Sequence, residues 1–172
     1  MVINLKCFAE KLKNKIGMVG EMKYNMTENY KEMLQKGLEY QDFVTDVLIN
    51  ELGISLSSYG STKYQYTKGE NKQGFEIKFD DKYKTTNNLY IETEEKSNKL
   101  NLYFVASGIF RNDNTWLFLI GNYEEIFIFS KKHLKLMFAS KKFRMVQTET
   151  SKGFLIDKTN AEKYCIKKII LN

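Results

Sequence analysis

Gly74-Phe75-Glu76-Ile77-Lys78-Phe79-Asp80 alternates residue by residue. Phe75, Ile77 and Phe79 point one way and Glu76, Lys78 and Asp80 the other, the period of a half-buried β-strand. Outward from it, residues 69–74 read as a turn and residues 64–66 alternate as a further short strand. The polar stretch 81–88 turns the chain into another strand, with Leu89, Ile91 and Thr93 on one face and Tyr90, Glu92, Glu94 and Lys96 on the other. Upstream, Tyr40, Phe43, Val44, Val47, Leu48 and Leu52 recur at three- and four-residue spacing, and Gly53 supplies a stop. That is an amphipathic helix, with Glu39 in its first turn.

The remainder completes a mixed pattern. Residues 102–110 suggest a strand broken near Gly108, while 116–120, the Gly121-Asn122 turn and 126–129 read as a hairpin buried on both faces. Trp116, Phe118, Phe127 and Phe129 belong to the core on this reading. Ser130 then caps a helix with Leu134, Met137 and Phe138 on its inner side. A short strand at 154–156 follows, then a last helix from Thr159 or Asn160 carrying Tyr164, Ile166 and Ile169. The expected class is α/β, a central mixed β-sheet flanked by helices. Residues 1–36, with Thr27 capping a short helix through Glu28, Tyr30, Met33 and Leu34, form a helical extension to a domain at 37–172.

Composition bounds the chemistry. A chain of 172 residues, 42% hydrophobic and 14% aromatic, supports one folded domain. No apolar run reaches the ~20 residues of a membrane span, so a soluble cytoplasmic protein is expected. Cys7 and Cys165 form no CxxC, and His133 is the single histidine; carboxylates and lysines must carry any reaction. The net charge is +6, and residues 131–172 hold 11 basic and 3 acidic side chains. Between residues 131 and 144, Lys131, Lys132, Lys135, Lys141, Lys142 and Arg144 meet no acid, a candidate surface for a polyanion backbone. A plain solvated helix face explains the same charges, and His133 reads as a surface residue there.

If the strands at 74–80 and 89–96 pair as neighbours, Glu76, Lys78, Glu92, Glu94 and Lys96 gather on one polar face. Clustered carboxylates repel, and a hard divalent cation, Mg²⁺ or Mn²⁺, relieves that repulsion while keeping room for a phosphate oxygen. A lysine two residues along the strand shares the face and can stabilise developing charge.

A carboxylate-x-lysine on a strand, after an upstream acid and a helix bearing a glutamate, resembles the PD-(D/E)xK, or restriction-endonuclease-like, nucleases. The matching segments are Gly37-Leu38-Glu39-Tyr40-Gln41, Gly69-Glu70-Asn71, residues 74–80 and Leu89-Tyr90-Ile91-Glu92 with Glu95-Lys96; the resemblance covers residues 37–160. The run from Asn114 to Lys132 is also similar to small phage proteins of low-GC Gram-positive bacteria. The family implies Mg²⁺-dependent cleavage of DNA phosphodiesters, and often a homodimer that cuts both strands. Carried over, Glu76 is the metal-binding carboxylate of the motif, Lys78 its lysine, Glu70 the upstream acid and Glu39 the helical glutamate. The chain has no proline and hence no Pro-Asp pair, and six residues separate Glu70 from Glu76. A second register therefore stands beside the first: Glu76 or Asp80 upstream, Glu92 or Glu94 as the next carboxylate, and Lys96 as the lysine.

Carboxylate-x-lysine occurs five times here, so the tripeptide alone decides nothing. Charged strand faces are commonly solvated and laced with cross-strand ion pairs. Two other readings stay open: a small phage-encoded module that binds nucleic acid or a host protein without catalysis, and a structural or assembly protein.

Overall fold

The computed structural model describes residues 28–171. The residues from Leu34 onward belong to one compact unit, whereas most of the expected 1–36 extension, Thr27 included, lies outside the described residues. The expected short helix and the amphipathic helix are one element, α1 (Glu28–Leu52), so Glu39 sits in its middle rather than its first turn. Tyr40, Val44, Val47 and Leu48 are buried along one stripe of it.

That stripe covers one face of a four-stranded sheet. Its strands are β1 (Phe75–Phe79), β4 (Leu117–Gly121), β5 (Glu125–Ser130) and β8 (Lys167–Ile170), adjacent in that order. β1 runs parallel to β4, and the other pairs are antiparallel. Phe75, Ile77, Leu117, Leu119, Ile126, Ile128 and Ile169 meet α1 in one core. The alternate residues Phe118, Ile120, Phe127 and Phe129 face a second core. Both faces of β4 and β5 are thus covered, as their continuous apolar runs require.

The second core is closed by a separate antiparallel sheet, β3 (Val105–Ala106), β2 (Asn88–Glu95), β7 (Ser151–Asp157) and β6 (Met145–Gln147), in that order. Leu89, Ile91, Phe154 and Ile156 face inward from it, joined by Leu134 and Met137 of α4 (Lys131–Ala139) and Ala161 of α5 (Lys158–Tyr164). The short helices α2 (Thr62–Lys68) and α3 (Tyr83–Thr86) and a 3₁₀ turn (Gly108–Phe110) complete the described elements.

The fold is therefore mixed α/β, but with two sheets where one central sheet was expected, and β1 and β2 are not neighbours. The connection between them explains this. Asp80 accepts hydrogen bonds from the Tyr83 and Tyr90 amides, and Asn87 turns the chain at φ 50°, so β2 leaves the plane of β1. Leu89 and Ile91 then bury against the first sheet's face instead of extending its edge.

Other expectations change for local reasons. Residues 64–66 lie in α2, where the Ser61 side chain accepts from the Tyr64 amide and no sheet offers a partner. Residues 102–110 give only β3 and the 3₁₀ turn: Gly108 takes φ +47°, and a Cβ there would stand 2.3 Å from the Glu92 carbonyl oxygen. The last helix ends at Tyr164. Ile166 then donates to the Ile128 carbonyl and β8 pairs along β5, satisfying the backbone edge of β5 that β4 leaves open. The hairpin of β4 and β5 and the helix after Ser130 form, Asn122 Oδ1 holding the turn through the Glu124 and Glu125 amides. Trp116, expected in the core, is instead mostly exposed just before β4, its indole Nε1 donating to the Gln73 carbonyl at 2.7 Å, and Ser130 takes the N-cap position without a side-chain hydrogen bond.

Candidate active site

β1 presents Glu76 to the side opposite Phe75 and Ile77, and Glu76 is completely buried. The turn before it is built around Asn71, whose side chain both donates to the Phe75 carbonyl (2.7 Å) and accepts from the Phe75 amide (3.0 Å). Gly74, at φ +74°, lies so close to Asn114 and Trp116 that no larger residue fits. This turn brings Glu70 alongside β1, where its Oε2 accepts the Ile77 amide at 3.2 Å. Lys78 Nζ then stands 2.9 Å from Glu76 Oε1 and 3.8 Å from Glu70 Oε1. Glu70, Glu76 and Lys78 are brought together as the first register expects.

From the far side, Arg111 follows the 3₁₀ turn and its Nη2 donates to Glu76 Oε2 at 3.1 Å. Thr115 Oγ1 reaches the same oxygen at 3.5 Å. Asp113 fixes Arg111 by accepting from its Nε at 2.5 Å, and accepts from Lys131 Nζ (2.7 Å) and the Thr115 amide (3.0 Å) as well. Lys131 also donates to the Arg111 carbonyl at 2.8 Å. An unbroken chain of charge runs Lys78–Glu76–Arg111–Asp113–Lys131.

The environment tunes these groups. Burial pushes the Glu70 carboxyl upward; Lys78 opposes this and the nearby Glu76 charge adds to it, so Glu70 titrates above the usual glutamate range. Burial works against the Lys78 ammonium, but Glu76 and Glu70 outweigh it and hold the lysine protonated beyond its ordinary range. Burial alone would raise Asp113, yet the hydrogen bonds from Lys131, Arg111 and the Thr115 amide bring it down to about 2.

The second register does not assemble here. Glu92 accepts from Ser107 Oγ (2.7 Å) and Ser151 Oγ (2.9 Å), and only its charge reaches Lys78. Glu94 pairs with Lys152 at 2.8 Å. Lys96 lies over the Phe104 ring, 4.7 Å from its centre, and donates to the Lys99 carbonyl. Asp80 is engaged by the Tyr83 and Tyr90 amides. The physical reason is the one above: β1 and β2 belong to different sheets. Glu39 is exposed on α1, accepting from Gln35 Nε2 at 2.9 Å, and α1 packs on the face away from Glu76. Lys131 is buried in the ion chain and leaves the expected basic surface, on which Lys132, Lys135, Lys141, Lys142 and Arg144 remain exposed.

Arg111, Asp113 and Thr115 were not among the residues the sequence singled out. A signal existed: Arg111 is one of two arginines in a chain of 25 lysines, and arginine is the residue suited to fixed, two-sided contact with carboxylates.

Among the described residues, no group of three or more His, Cys, Asp or Glu side chains is placed to hold a metal ion. The donor chemistry nonetheless suits a hard cation of the Mg²⁺ kind, which takes one or two carboxylates and completes its shell with water and phosphate. Glu76 Oε1 is buried with the Lys78 ammonium 2.9 Å away as its ionic partner, and the Glu70 carboxylate shares that lysine, so the two carboxylates stand where a cation would bridge them. No helix of the described residues is long and apolar enough to cross a membrane. No family model matches the chain, and no curated protein or solved structure matches it either.

Proposed function

We propose that the Glu70–Glu76–Lys78 cluster hydrolyses phosphodiesters of DNA with Mg²⁺ or Mn²⁺, in the manner of the PD-(D/E)xK nucleases and on a variant of their restriction-endonuclease-like fold. The observation that carries this reading is the convergence of two carboxylates, one of them fully buried, on a single lysine ammonium. Glu70 and Glu76 would hold the cation. When bound, such an ion neutralises charge building on the phosphate and lowers the pKa of an attacking water.

Beside the two carboxylates Lys78 is held protonated, and in that state its part is to donate to a phosphate oxygen or the incoming water and offset negative charge. Arg111, held by Asp113, positions Glu76. The first residue of α4, Lys131, ties that helix to the ion chain, so the exposed Lys132 and Lys135 begin beside the site and supply phosphate contacts.

The test is supercoiled plasmid with Mg²⁺ or Mn²⁺, using wild type, Glu76→Gln and an EDTA control. Nicking lost in both controls is the expected result. Nicking at the wild-type rate by Glu76→Gln sinks the proposal.

One observation favours a second reading, a nucleic-acid-binding module without catalysis. Glu76 already has two cationic partners, Lys78 and Arg111, and so forms a closed network without a metal. On that reading Mg²⁺ and Mn²⁺ leave the melting temperature unchanged, whereas the nuclease reading requires metal-linked stabilisation that Glu76→Gln removes.

A further inference from the structure

Along α4 from His133 to its C-terminal end, a hollow of about 410 Å³ opens between α4, the chain after it, β7 and α5. That volume lies in the range of about 300–1,000 Å³ typical of small-molecule sites. Its wall is not merely apolar. Lys142 and Arg144 line it, and among the described residues neither has a carboxylate within ion-pairing distance. The single acid in the wall is Asp157, a carboxylate whose two oxygens accept from the Asn160 amide (3.0 Å) and from Asn160 Nδ2 (2.5 Å), so with Lys142 and Arg144 the wall keeps a net positive charge.

The backbone brings those cations there. Lys141, just past the C-terminal end of α4, takes φ 55°, a left-handed turn that glycine usually supplies. The chain so reversed enters β6, and the Arg144 carbonyl accepts from the Leu155 amide of β7. Lys142 and Arg144 are therefore held against β7 and α5 instead of trailing along the outer face of the helix.

The rest of the wall has a second character. Phe143 and Tyr164 contribute rings, and Tyr164 is braced edge-on by His133 at 5.6 Å. Asn88 Nδ2 is spent on the Thr86 carbonyl and Asn160 Nδ2 on Asp157, which leaves both amide oxygens as acceptors. An unpaired lysine and arginine select a dianion, and the planar guanidinium fits phosphate oxygens in pairs. Aromatic and apolar walls take a flat ring, and amide oxygens accept from the amino edge of a base.

We infer that this hollow binds a nucleoside 5′-phosphate, with Lys142 and Arg144 on the phosphate and the base between Phe143 and Tyr164 near the Asn88 and Asn160 amides. The site is separate from the Glu70–Glu76–Lys78 cluster and does not depend on that cluster's chemistry. The ligand unit could arrive as a free nucleotide or as the 5′-phosphorylated end of a strand, which offer the same groups.

Calorimetric titration of the full chain with deoxyadenosine 5′-monophosphate, deoxyadenosine and inorganic phosphate tests this, without added metal. The nucleotide is expected to bind about tenfold tighter than phosphate or the nucleoside, each of which lacks one set of contacts. The double variant Lys142→Ala/Arg144→Ala changes two exposed side chains and is expected to weaken nucleotide binding by about tenfold or more with its melting temperature unchanged. A short single strand with and without a 5′-phosphate separates the sources. Phosphate-dependent binding tighter than that of the free nucleotide identifies the strand end, and weaker binding identifies the free nucleotide. Equal affinity for phosphate and nucleotide, no binding, or binding that survives the double substitution overturns the inference.

Discussion

Replacing Asp113 with asparagine removes the charge that joins the two halves of the ion chain. The Asp113 side chain is fully buried, and it titrates at about 2 where the ordinary value is 3.8. A folded-state pKa below the unfolded one adds stability that is complete above the unfolded value and is lost as pH falls through the folded one. The size of the shift makes this about 2 kcal/mol at pH 7, of which about half remains at pH 3. Asparagine also leaves Lys131, only 9% exposed along its side chain, without its counter-charge. For a chain of this length the charge alone corresponds to a fall in melting temperature of about 4–8 °C at pH 7. Circular dichroism during heating and urea unfolding, at pH 7, 5 and 3, provides the assay. The gap between wild type and Asp113→Asn is expected to narrow with acid, by about 1 kcal/mol between pH 7 and pH 3. An unchanged midpoint at pH 7, or a gap constant across that range, would refute the reasoning.

Glu70 carries the opposite sign. Its carboxyl is raised, so the folded state loses stability as pH rises from the unfolded value through the folded one. Glu70→Gln keeps an oxygen for the Ile77 amide and is expected to melt at or above the wild-type temperature at pH 7 while losing Mn²⁺-linked stabilisation; a marked drop in melting temperature would contradict the sign. Gly74→Ala places a Cβ 2.5 Å from the Asn114 carbonyl oxygen and 2.7 Å from Trp116 Cδ1 at a backbone angle of +74°. It is expected to cost about 2–3 kcal/mol in urea unfolding, and a wild-type midpoint would show that the turn carrying Glu70 can relax.

Much of the fold is legible in short windows. The stripe from Tyr40 to Leu48 and the alternation of Phe75 and Ile77 with Glu76 and Lys78 identify the apolar side of each element, although in β1 the fold buries Glu76 on the other side as well. The 116–129 hairpin declares burial on both faces through its unbroken apolar runs. The candidate site was legible to the same depth: Glu70, Glu76 and Lys78 are linked by one turn and one strand, so local geometry carries them together.

Strand partners and long-range charge partners are different in kind. Periodicity states which face of a strand is apolar but not which sheet that face meets, so β1 and β2, both correctly alternating, went to different sheets. Lys167 to Ile170 reads equally well as the end of a helix, and only the open edge of β5 makes it a strand. Lys131 belongs to a basic run by sequence, and the depth of Asp113 turns it inward. Arg111 meets Glu76 across 35 positions, through a fold that no local pattern encodes. The sequence by itself determined the inward faces and the Glu70–Glu76–Lys78 grouping, because both are set by backbone period within a few residues. The tertiary structure alone decided the pairing of strands and the pairing of buried charges, because each depends on which distant surface offers a complementary partner.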